Sequence, residues 1–359
     1  MSILYGIGVA FRNSLFDMKI KKSKDFNLPV ISIGNITAGG TGKTPHTEYL
    51  IELLYKDFKV ATLSRGYKRK TSGFLMVEKE ATPKQVGDEP LQIKQKFEKA
   101  IVAVDEKRVR GIEKLLALPK EERPDVVILD DAFQHRYVNP GINILLTDYS
   151  RLITQDTLLP HGRLRESASN RERANVIIVT KCPSQLKPID ERIITKELNI
   201  RPFQYLYFTK FKYGQLKPVF SEHARHNPEA DLLEGNPVLL VTGIANPAPL
   251  YEHLRSVSPK VTEIVFPDHH DFGAKDIQQI EKEFNEIKED GKLIVTTEKD
   301  MIRFRAVEGI PELIAKNLYY IPLKVTFLNK GDKDFDQKIR KYVRENKSNF
   351  DLYSKSNRM

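Results

Sequence analysis

The chain has 359 residues, a formal net charge of +10 and one cysteine. Its length favours two domains over one, because a domain typically has about 100–200 residues. A hydrophobic content of 40 % beside 30 % charged residues is typical of a globular protein and excludes a chain that is disordered throughout. The single Cys182 excludes an internal disulfide and a zinc site built on cysteines, and it indicates a reducing compartment. The positive charge is compatible with nucleic acid, an anionic membrane or a phosphorylated substrate.

The N-terminus is an uncharged apolar run, residues 1–11, followed by basic residues from Arg12 to Lys24. The run is shorter than the ~20 residues of a membrane-spanning helix, and its positive charge follows it, unlike that of a secretory signal. Five apolar residues recur at helical spacing: Leu4, Ile7, Phe11, Leu15 and Met18. The spacing predicts an amphipathic helix, which either docks on the protein's own core or lies in a membrane interface with its lysines at anionic head groups. The pattern alone favours the first alternative.

From Pro29 to about residue 202, short apolar runs alternate with helical patterns, which predicts a parallel sheet covered by helices on both faces. Strands are predicted at residues 30–33, 60–63, 100–104, 126–129, 142–146 and 176–179. Helices are predicted from Lys43 and at residues 89–97 and 109–118.

The residue pattern of the chain changes near residue 203. Residues 203–220 and 318–328 alternate and are rich in Tyr and Phe, which is more typical of an exposed antiparallel ribbon than of a buried parallel strand. Between these stretches, strands at 238–242, 261–265 and 293–295 with intervening helices predict a smaller α/β unit. Residues 334–359 predict a charged helix followed by a loose polar tail.

A glycine-rich loop lies between the first predicted strand and its helix. It consists of Gly39, Gly40, Thr41, Gly42, Lys43 and Thr44. Glycines let backbone N–H groups curl around phosphate oxygens, and the following helix N-terminus adds its dipole. Lys43 then reaches the β- and γ-phosphates, and the Thr44 hydroxyl holds Mg²⁺. The usual pattern has a glycine where this chain has Thr37, but the strand–loop–helix context favours phosphate binding over an incidental turn.

Two aspartates, Asp130 and Asp131, directly follow the apolar strand at 126–129. Carboxylates at the end of such a strand hold Mg²⁺ or its water shell in nucleotide sites. Alternatively, they cap the next helix, a common role for aspartate. The nearby lysine loop favours the metal.

Three further segments are dense in polar residues: 87–90 (GDEP), 161–166 (HGRLRE) and 268–271 (DHHD). The first offers carboxylates at a helix start, the second two guanidiniums suited to phosphate, and the third two imidazoles between carboxylates. A histidine base or a metal ligand is compatible with the third segment. Each segment by itself is also typical of a solvated turn.

Together and in this order, the motifs resemble those of the tetraacyldisaccharide 4′-kinases of lipid A biosynthesis. The resemblance extends from the N-terminal helix to about residue 304. It is carried by residues 29–45 (PVISIGNITAGGTGKTP), 64–67 (SRGY), 86–90 (VGDEP), 130–136 (DDAFQHR), 159–166 (LPHGRLRE), 179–181 (VTK), 266–272 (FPDHHDF) and 297–300 (TEKD).

The resemblance implies a kinase that uses ATP and Mg²⁺. The γ-phosphoryl group would pass to the 4′-hydroxyl of tetraacyldisaccharide 1-phosphate and give lipid IVA. It also implies two α/β/α domains, the first a P-loop domain, joined by a two-stranded antiparallel ribbon, with the nucleotide at the cleft between them. The expected division is a membrane-associating helix (1–25), the P-loop kinase domain (26–202), the ribbon (203–220 and 318–328), the smaller α/β domain (221–317) and a C-terminal helix and tail (329–359).

The resemblance also implies roles for individual residues. Lys43 and Thr44 match the phosphate and metal positions, and Asp130 and Asp131 the acidic pair near the metal. Asp88 matches the general base and His269 the histidine paired with it, although His270 stands beside it. The remaining polar positions facing the active site are Arg65, Gln134, His135, Arg165 and Glu166.

The expected partners are the acylated glucosamine disaccharide and the cytoplasmic leaflet of the inner membrane, which the family contacts with its N-terminal helix. A cytoplasmic, peripheral location follows, with no nucleic acid and no obligate protein partner. The alternative is a P-loop NTPase that acts as a switch or metallochaperone on a protein partner. The lone cysteine weakens a soft-metal role, and the scattered basic residues include no motif that reads nucleic acid.

Overall fold

The computed structural model describes residues 2–223 and 233–356. The strands are β1 (Val30–Gly34), β2 (Val60–Ser64), β3 (Leu75–Met76), β4 (Ile101–Val104), β5 (Val126–Asp130), β6 (Ile142–Asp148), β7 (Val176–Thr180), β8 (Tyr205–Tyr213), β9 (Lys217–Pro218), β10 (Val238–Thr242), β11 (Val261–Val265), β12 (Leu293–Thr297), β13 (Leu318–Ile321) and β14 (Leu323–Phe327). The α-helices are α1 (Ser2–Asp17), α2 (Lys43–Leu54), α3 (Pro83–Val86), α4 (Asp88–Lys96), α5 (Arg108–Leu116), α6 (Pro188–Leu198), α7 (Ala248–Val257), α8 (Ala274–Glu286), α9 (Glu298–Phe304), α10 (Glu312–Asn317) and α11 (Gly331–Ser356). The end of the polar tail, residues 357–359, lies outside the described residues.

The chain divides into two compact units. The first unit comprises Met1–Ala81, Ile93–Phe211 and Val325–Met359, and the second comprises Thr82–Gln92 and Lys212–Lys324. The short segment Thr82–Gln92, which is far from the rest of the second unit in sequence, therefore brings Asp88 into that unit.

The first unit is built on a sheet with the strand order β14-β8-β7-β6-β1-β5-β2-β4-β3. The strands from β8 to β4 pair in parallel, and β3 pairs with β4 in antiparallel fashion. Every residue of β1, β5 and β7 is buried, which explains why these strands are almost continuous apolar runs. The structure confirms the predicted α/β class with its parallel sheet.

The two aromatic-rich stretches pair with each other in two places, and each also belongs to a larger sheet. β14 is the neighbour of β8, and β13 pairs with β9 in antiparallel fashion. Residues Tyr205–Phe208 of β8 pair in parallel with Val176–Val179 of β7, so this part of the stretch belongs to the first sheet. Its alternating sequence reflects a strand with one covered and one exposed face, a pattern that a ribbon shares. The second stretch is split at Pro322 into β13 and β14, which belong to different sheets. Proline has no N–H to continue a ladder.

The second unit contains a five-stranded sheet with the order β11-β10-β12-β13-β9. Its strands pair in parallel except for the short antiparallel pair of β13 with β9. Leu240, Val295 and Tyr319 lie in its buried core. This core supports α9, whose residues form part of the site described below.

The helix α1 is attached to the first unit mainly through its second half. Asn13 and Phe16 are buried, and Arg136 bonds Asp17 at 2.6 Å. In contrast, Leu4, Ile7 and Phe11 are 71 %, 60 % and 65 % exposed, so the apolar stripe is not packed on the protein's own core at these positions. Among the described residues, no helix combines the length and apolar character needed to cross a membrane.

The helix α11 is held to the first sheet by an aromatic cluster. Phe335 is buried, and its ring centroid lies 5.3 Å from that of Tyr207 and 4.8 Å from that of Phe327. The Tyr207 hydroxyl donates to Asp334 at 2.5 Å. These contacts cover the face of β8 that would otherwise be open to water.

We expect Phe335→Ala to lower the free energy of unfolding of the first unit by about 3–5 kcal/mol, because it removes a buried aromatic side chain and leaves a cavity. Urea denaturation followed by circular dichroism measures the change. Lys341→Ala on the same helix is the control, since this side chain is 70 % exposed and its loss should cost less than about 0.5 kcal/mol. Equal effects of both substitutions would contradict the proposed anchoring of α11.

Candidate active site

The glycine-rich loop leaves β1 at Gly34 and enters α2 at Lys43. Gly39 and Gly42 have φ angles of +109° and +88°, a region that residues with a side chain rarely adopt. A Cβ atom at Gly42 would also lie 2.6 Å from Cζ of Phe211. Two of the loop glycines are therefore required by backbone conformation, and one of them also by space.

Buried polar side chains fix the conformation of this loop. The Asn35 amide donates to the Thr41 hydroxyl at 2.7 Å, and the Thr180 hydroxyl donates to the Thr41 carbonyl at 2.9 Å. Burial lowers the pKa of His46 to about 4, against a raising effect of its hydrogen bond to Gly42. The neutral His46 ring donates from Nδ1 to the Gly42 carbonyl at 2.7 Å. The loop is therefore held in shape by the protein itself.

The N-terminus of α2 is open to an anion. Gly42 is its N-cap and provides no side-chain hydrogen bond to the first turn. The first backbone N–H groups of a helix lack intrahelical partners and carry the positive end of its dipole. A phosphate group satisfies both features.

Lys43 lies beside one of the two aspartates. Its Nζ is 3.7 Å from Oδ1 of Asp131, and Nη1 of Arg165 is 3.6 Å from Oδ2 of the same residue. Asp130 is buried and accepts a hydrogen bond from the Thr47 hydroxyl at 3.0 Å. The structure therefore brings Lys43, Asp131 and Arg165 together, and it directs one oxygen of Asp130 to α2.

The acidic pair suits a hard cation. Oδ1 of Asp131 is buried and has no hydrogen-bond partner among the residues that the structure describes. Carboxylate and hydroxyl oxygens are the ligands that Mg²⁺ prefers, and Mg²⁺ is usually bound by one or two carboxylates with waters and phosphates. Within residues 2–223 and 233–356, no group of three His, Cys, Asp or Glu side chains could hold a metal ion by itself.

Other predicted positions of the first unit differ in their surroundings. Arg65 is exposed, and the Gln134 amide donates to the Asn35 carbonyl. The buried Glu166 carboxylate accepts from Arg173 at 2.7 Å and from Asn13 at 3.0 Å. Glu166 thus connects α1 with the first unit, and its two oxygens are occupied by these partners.

His135 marks a concentration of positive charge. Burial, together with the charges of Arg108, Arg12 and Arg65, lowers its pKa to about 4. Arg108 is itself buried, and this burial lowers its pKa to about 10 against the raising effects of Asp131 and Asp130. Arg12 and Arg108 were not predicted as site residues, because nothing in their spacing separates them from the other basic residues of the chain.

The second unit carries a separate polar cluster around Asp88, the first residue of α4. Its Oδ2 is 3.2 Å from Nδ1 of His269 and accepts from Arg303 at 3.0 Å from Nε and 2.5 Å from Nη2. Burial raises the pKa of Asp88, but the hydrogen bonds from His269 and Arg303 and the charges of Arg303 and Lys299 outweigh it and lower the pKa to about 2. The carboxylate is ionised throughout the physiological range.

The structure decides between the two adjacent histidines. His269 has a φ angle of +63°, and its ring reaches Asp88. The His270 ring instead bonds Asp276 at 2.9 Å and stacks on Phe266 at 4.6 Å. His269 is therefore the histidine paired with Asp88.

Arg303 and Lys299 were also missed as site residues. Lys299 was recognised only as part of the motif at 297–300, and its Nζ lies 3.1 Å from Nε2 of His269. Arg303 lies one helical turn beyond Asp300, where the spacing of i and i+3 was the available signal.

Comparisons with known proteins identify relatives over nearly the full chain. The family model LpxK, described as Tetraacyldisaccharide-1-P 4'-kinase, matches residues 1–344. A tetraacyldisaccharide 4'-kinase of Parabacteroides distasonis is 52 % identical over 342 residues, which cover 95 % of this chain and 93 % of the relative. Another, from Bacteroides thetaiotaomicron, is 49 % identical and covers 99 % and 95 % of the two chains.

A crystal structure of "apo" form LpxK from Aquifex aeolicus in complex with ATP has a similar fold, with a TM-score of 0.71 and 29 % identity. The alignment covers 95 % of this chain and 97 % of that one. This likeness agrees with the α/β architecture, and the family model spans both units. The chain therefore belongs to the LpxK family, the tetraacyldisaccharide-1-P 4'-kinases.

Proposed function

We propose that this protein is a kinase that transfers the γ-phosphoryl group of ATP to the 4′-hydroxyl of tetraacyldisaccharide 1-phosphate. One observation carries the proposal. The glycine loop is held in shape by buried hydrogen bonds, and at its end Lys43 begins α2 and lies 3.7 Å from Asp131. The relatives are named tetraacyldisaccharide 4'-kinases, and the Aquifex aeolicus protein was solved with ATP.

The glycine loop would bind the nucleotide. The backbone of residues 39–42 surrounds the phosphates, and Lys43 contacts the β- and γ-phosphates, where it neutralises the charge that spreads over the oxygens during transfer. Because Asn35 and Thr180 already hold the loop, little ordering is needed when ATP binds. Fixed donors stabilise a transition state more than mobile ones do.

Mg²⁺ would be held by the Thr44 hydroxyl and by Asp131 and Asp130. The buried Oδ1 of Asp131, which accepts no hydrogen bond from the described residues, supports this assignment. When bound, the ion screens the negative charges of the phosphates. Arg165, 3.6 Å from Asp131, keeps the other oxygen of this carboxylate oriented.

Asp88 and His269 would act on the acceptor hydroxyl. An ionised carboxylate accepts a hydrogen bond from the hydroxyl, orients it and takes its proton as the bond to phosphorus forms. A pKa of about 2 makes Asp88 a weak proton acceptor in the ground state, so its main contribution early in the reaction is orientation. His269 supports the carboxylate through the 3.2 Å contact.

The arginines around His135 would recognise the anionic part of the acceptor. Arg12, Arg65 and Arg108 all lower the pKa of His135, after burial, so the positive charges of three guanidiniums act on this ring. Guanidinium groups bind phosphate in a bidentate manner. We assign this region, with Gln134 at its edge, to the 1-phosphate of the disaccharide.

The N-terminal helix would hold the enzyme at the membrane that contains its substrate. The exposed side chains of Leu4, Ile7 and Phe11 form an apolar surface, and lysines follow the helix. Such a helix lies in the interface of anionic membranes. We therefore propose a peripheral location on the cytoplasmic face of the inner membrane.

The kinase assay tests the proposal directly. Purified protein with ATP, Mg²⁺ and tetraacyldisaccharide 1-phosphate in detergent should yield a 4′-phosphorylated product, detected by transfer of ³²P from [γ-³²P]ATP. Lys43→Met should lower kcat about 10²–10³-fold, because a fixed donor to the transferring phosphoryl group is lost. Hydrolysis of ATP without transfer to the lipid would instead favour an NTPase switch.

Asp88→Asn should lower kcat about 10²–10⁴-fold with little change in the KM for ATP, because the amide cannot take the proton of the hydroxyl. Steady-state kinetics at saturating ATP measures the change. Asp271→Asn is the matched control, since Asp271 is an exposed carboxylate in the segment that carries His269. An Asp88→Asn enzyme with near-normal kcat would remove this residue from the mechanism.

Ile7→Asp combined with Phe11→Asp should lower the fraction of protein that pellets with phosphatidylglycerol-containing vesicles at least about tenfold, because burial of each side chain contributes about 1.5–3 kcal/mol. Activity on detergent-solubilised substrate should remain. Val257→Asp in the second unit, an exposed apolar residue outside α1, is the control. Unchanged pelleting of the double variant would exclude α1 as the membrane anchor.

A further inference from the structure

We infer that Arg303 and Lys299 are positioning residues that fix both the protonation state and the orientation of the Asp88–His269 pair. Their contacts leave Oδ1 of Asp88 as the oxygen that accepts a hydrogen bond from the acceptor hydroxyl. The inference rests on the proposed catalytic role of this pair.

Arg303 is almost fully buried, and its donors have defined acceptors. Nε and Nη2 donate to the same oxygen of Asp88, Oδ2, at 3.0 and 2.5 Å. Nη1 donates to Asp300 at 2.7 Å and to the Gly243 carbonyl at 3.1 Å. The guanidinium plane is therefore fixed from the side opposite Asp88, and it holds this carboxylate in one orientation.

Asp300 provides the fixed side of this arrangement. It is completely buried, and its Oδ2 accepts from the Gly243 backbone at 3.0 Å and from the Thr297 hydroxyl at 2.8 Å. Its Oδ1 remains for Arg303. A buried carboxylate with all of these partners is held in one position. Because Asp300 lies in the turn that begins α9 and accepts from Arg303, this turn also fixes the position of the Arg303 guanidinium.

All hydrogen bonds that Asp88 accepts from described side chains converge on Oδ2. Among the described residues, Oδ1 receives no hydrogen bond. A carboxylate oxygen offers about two acceptor sites, so Oδ1 retains the capacity that an incoming hydroxyl requires. The geometry assigns the two oxygens separate tasks, one for fixation and one for the substrate.

Lys299 selects the tautomer of His269. A lysine ammonium only donates, and its Nζ lies 3.1 Å from Nε2 of His269, so this hydrogen bond forms only when Nε2 is the acceptor nitrogen. That tautomer also allows the bond from Nδ1 to Asp88, so it makes two of the three contacts of the ring. The ring proton then resides on Nδ1 and is donated to Asp88. In the opposite tautomer, the Nε2–H group would point at the Lys299 ammonium, and the bond from Nδ1 to Asp88 would be lost. Its Nδ1 would instead accept a hydrogen bond from Arg303 at 3.1 Å.

The charged groups around Asp88 come from several elements. Arg303 and Lys299 of α9 and His269 of the preceding loop face it. Glu89 pairs with Lys299 at 3.4 Å, and Asp268 lies 3.9 Å from Nε2 of His269. Because the hydrogen bonds and the charge of Arg303 lower the pKa of Asp88, removal of Arg303 should move the protonation of Asp88 to higher pH.

The test is the pH dependence of kcat on the detergent-solubilised lipid substrate. For Arg303→Met, the ratio of variant to wild-type kcat should fall at least about tenfold between pH 8 and pH 5.5, because Asp88 takes up a proton in this range once its charged partner is lost. Arg303→Lys, which keeps the charge, should show a much smaller slope. Arg305→Met is the matched control, because its Nε donates to the Val219 carbonyl, and its ratio should be flat. A loss in Arg303→Met that is equal at all pH values would overturn the inference and indicate a purely structural role.

A spectroscopic measurement keeps the inference testable if Arg303→Met does not fold, as judged by circular dichroism. In protein labelled with ¹⁵N-histidine, and with His269 assigned by the His269→Asn variant, the wild type should show Nδ1 protonated and Nε2 as acceptor. Lys299→Met should lose this single tautomer. An Nε2-protonated ring in the wild type would refute the role of Lys299.

The outcomes separate the inference from the proposed function. If Asp88→Asn keeps its kcat, the proposed role of the pair fails, whatever the NMR spectra show. If Asp88→Asn loses activity while the Arg303→Met ratio is flat with pH, only the positioning role fails.

Discussion

The parallel pairing of β1 with β5 is the constraint on which the phosphate site depends. Ile33 is in register with Asp130, so the glycine loop after β1 and the acidic pair at the end of β5 lie at the same edge of the sheet. The approach is close, since a Cβ atom at Gly34 would lie 2.8 Å from the Phe133 backbone nitrogen. Register in a buried strand is set by its apolar side chains. The core residues of two strands therefore determine where Lys43 meets Asp131.

Local signals explain what could be predicted from the sequence. The buried strands, the start of α2 at Lys43 and the loop glycines each follow from a few neighbouring residues, and these elements are confirmed. The choice of His269 over His270 could not be predicted from local chemistry, because the two side chains are identical. It depends on a positive φ at His269 and on a partner 181 residues away in sequence.

The differences between the sequence-based predictions and the structure have one physical origin, which is burial by residues that are distant in sequence. A buried arginine and a surface arginine look the same in a sequence, so nothing separated Arg108 from the other basic residues. For Arg303, the spacing of three residues from Asp300 was the one available signal. The alternating residues of β8 likewise fit a ribbon or a sheet strand, and only the packing of α11 and the parallel pairing with β7 distinguish them. Burial has its largest energetic effect on charged groups, because a charge that is removed from water needs a partner in the protein.

The low pKa of Asp88 bears on what kind of catalysis this arrangement favours. A general base is most efficient when its pKa lies near the working pH, and Arg303 and His269 move Asp88 away from that range. Phosphoryl transfer passes through a loose transition state in which the nucleophile has formed little bond and still holds most of its proton. A strongly held, fully ionised carboxylate suits such a reaction, because orientation of the hydroxyl matters early and basicity only late. The buried Arg303–Asp300 pair therefore lowers the basicity of the Asp88 carboxylate and, at the same time, fixes its orientation toward the hydroxyl.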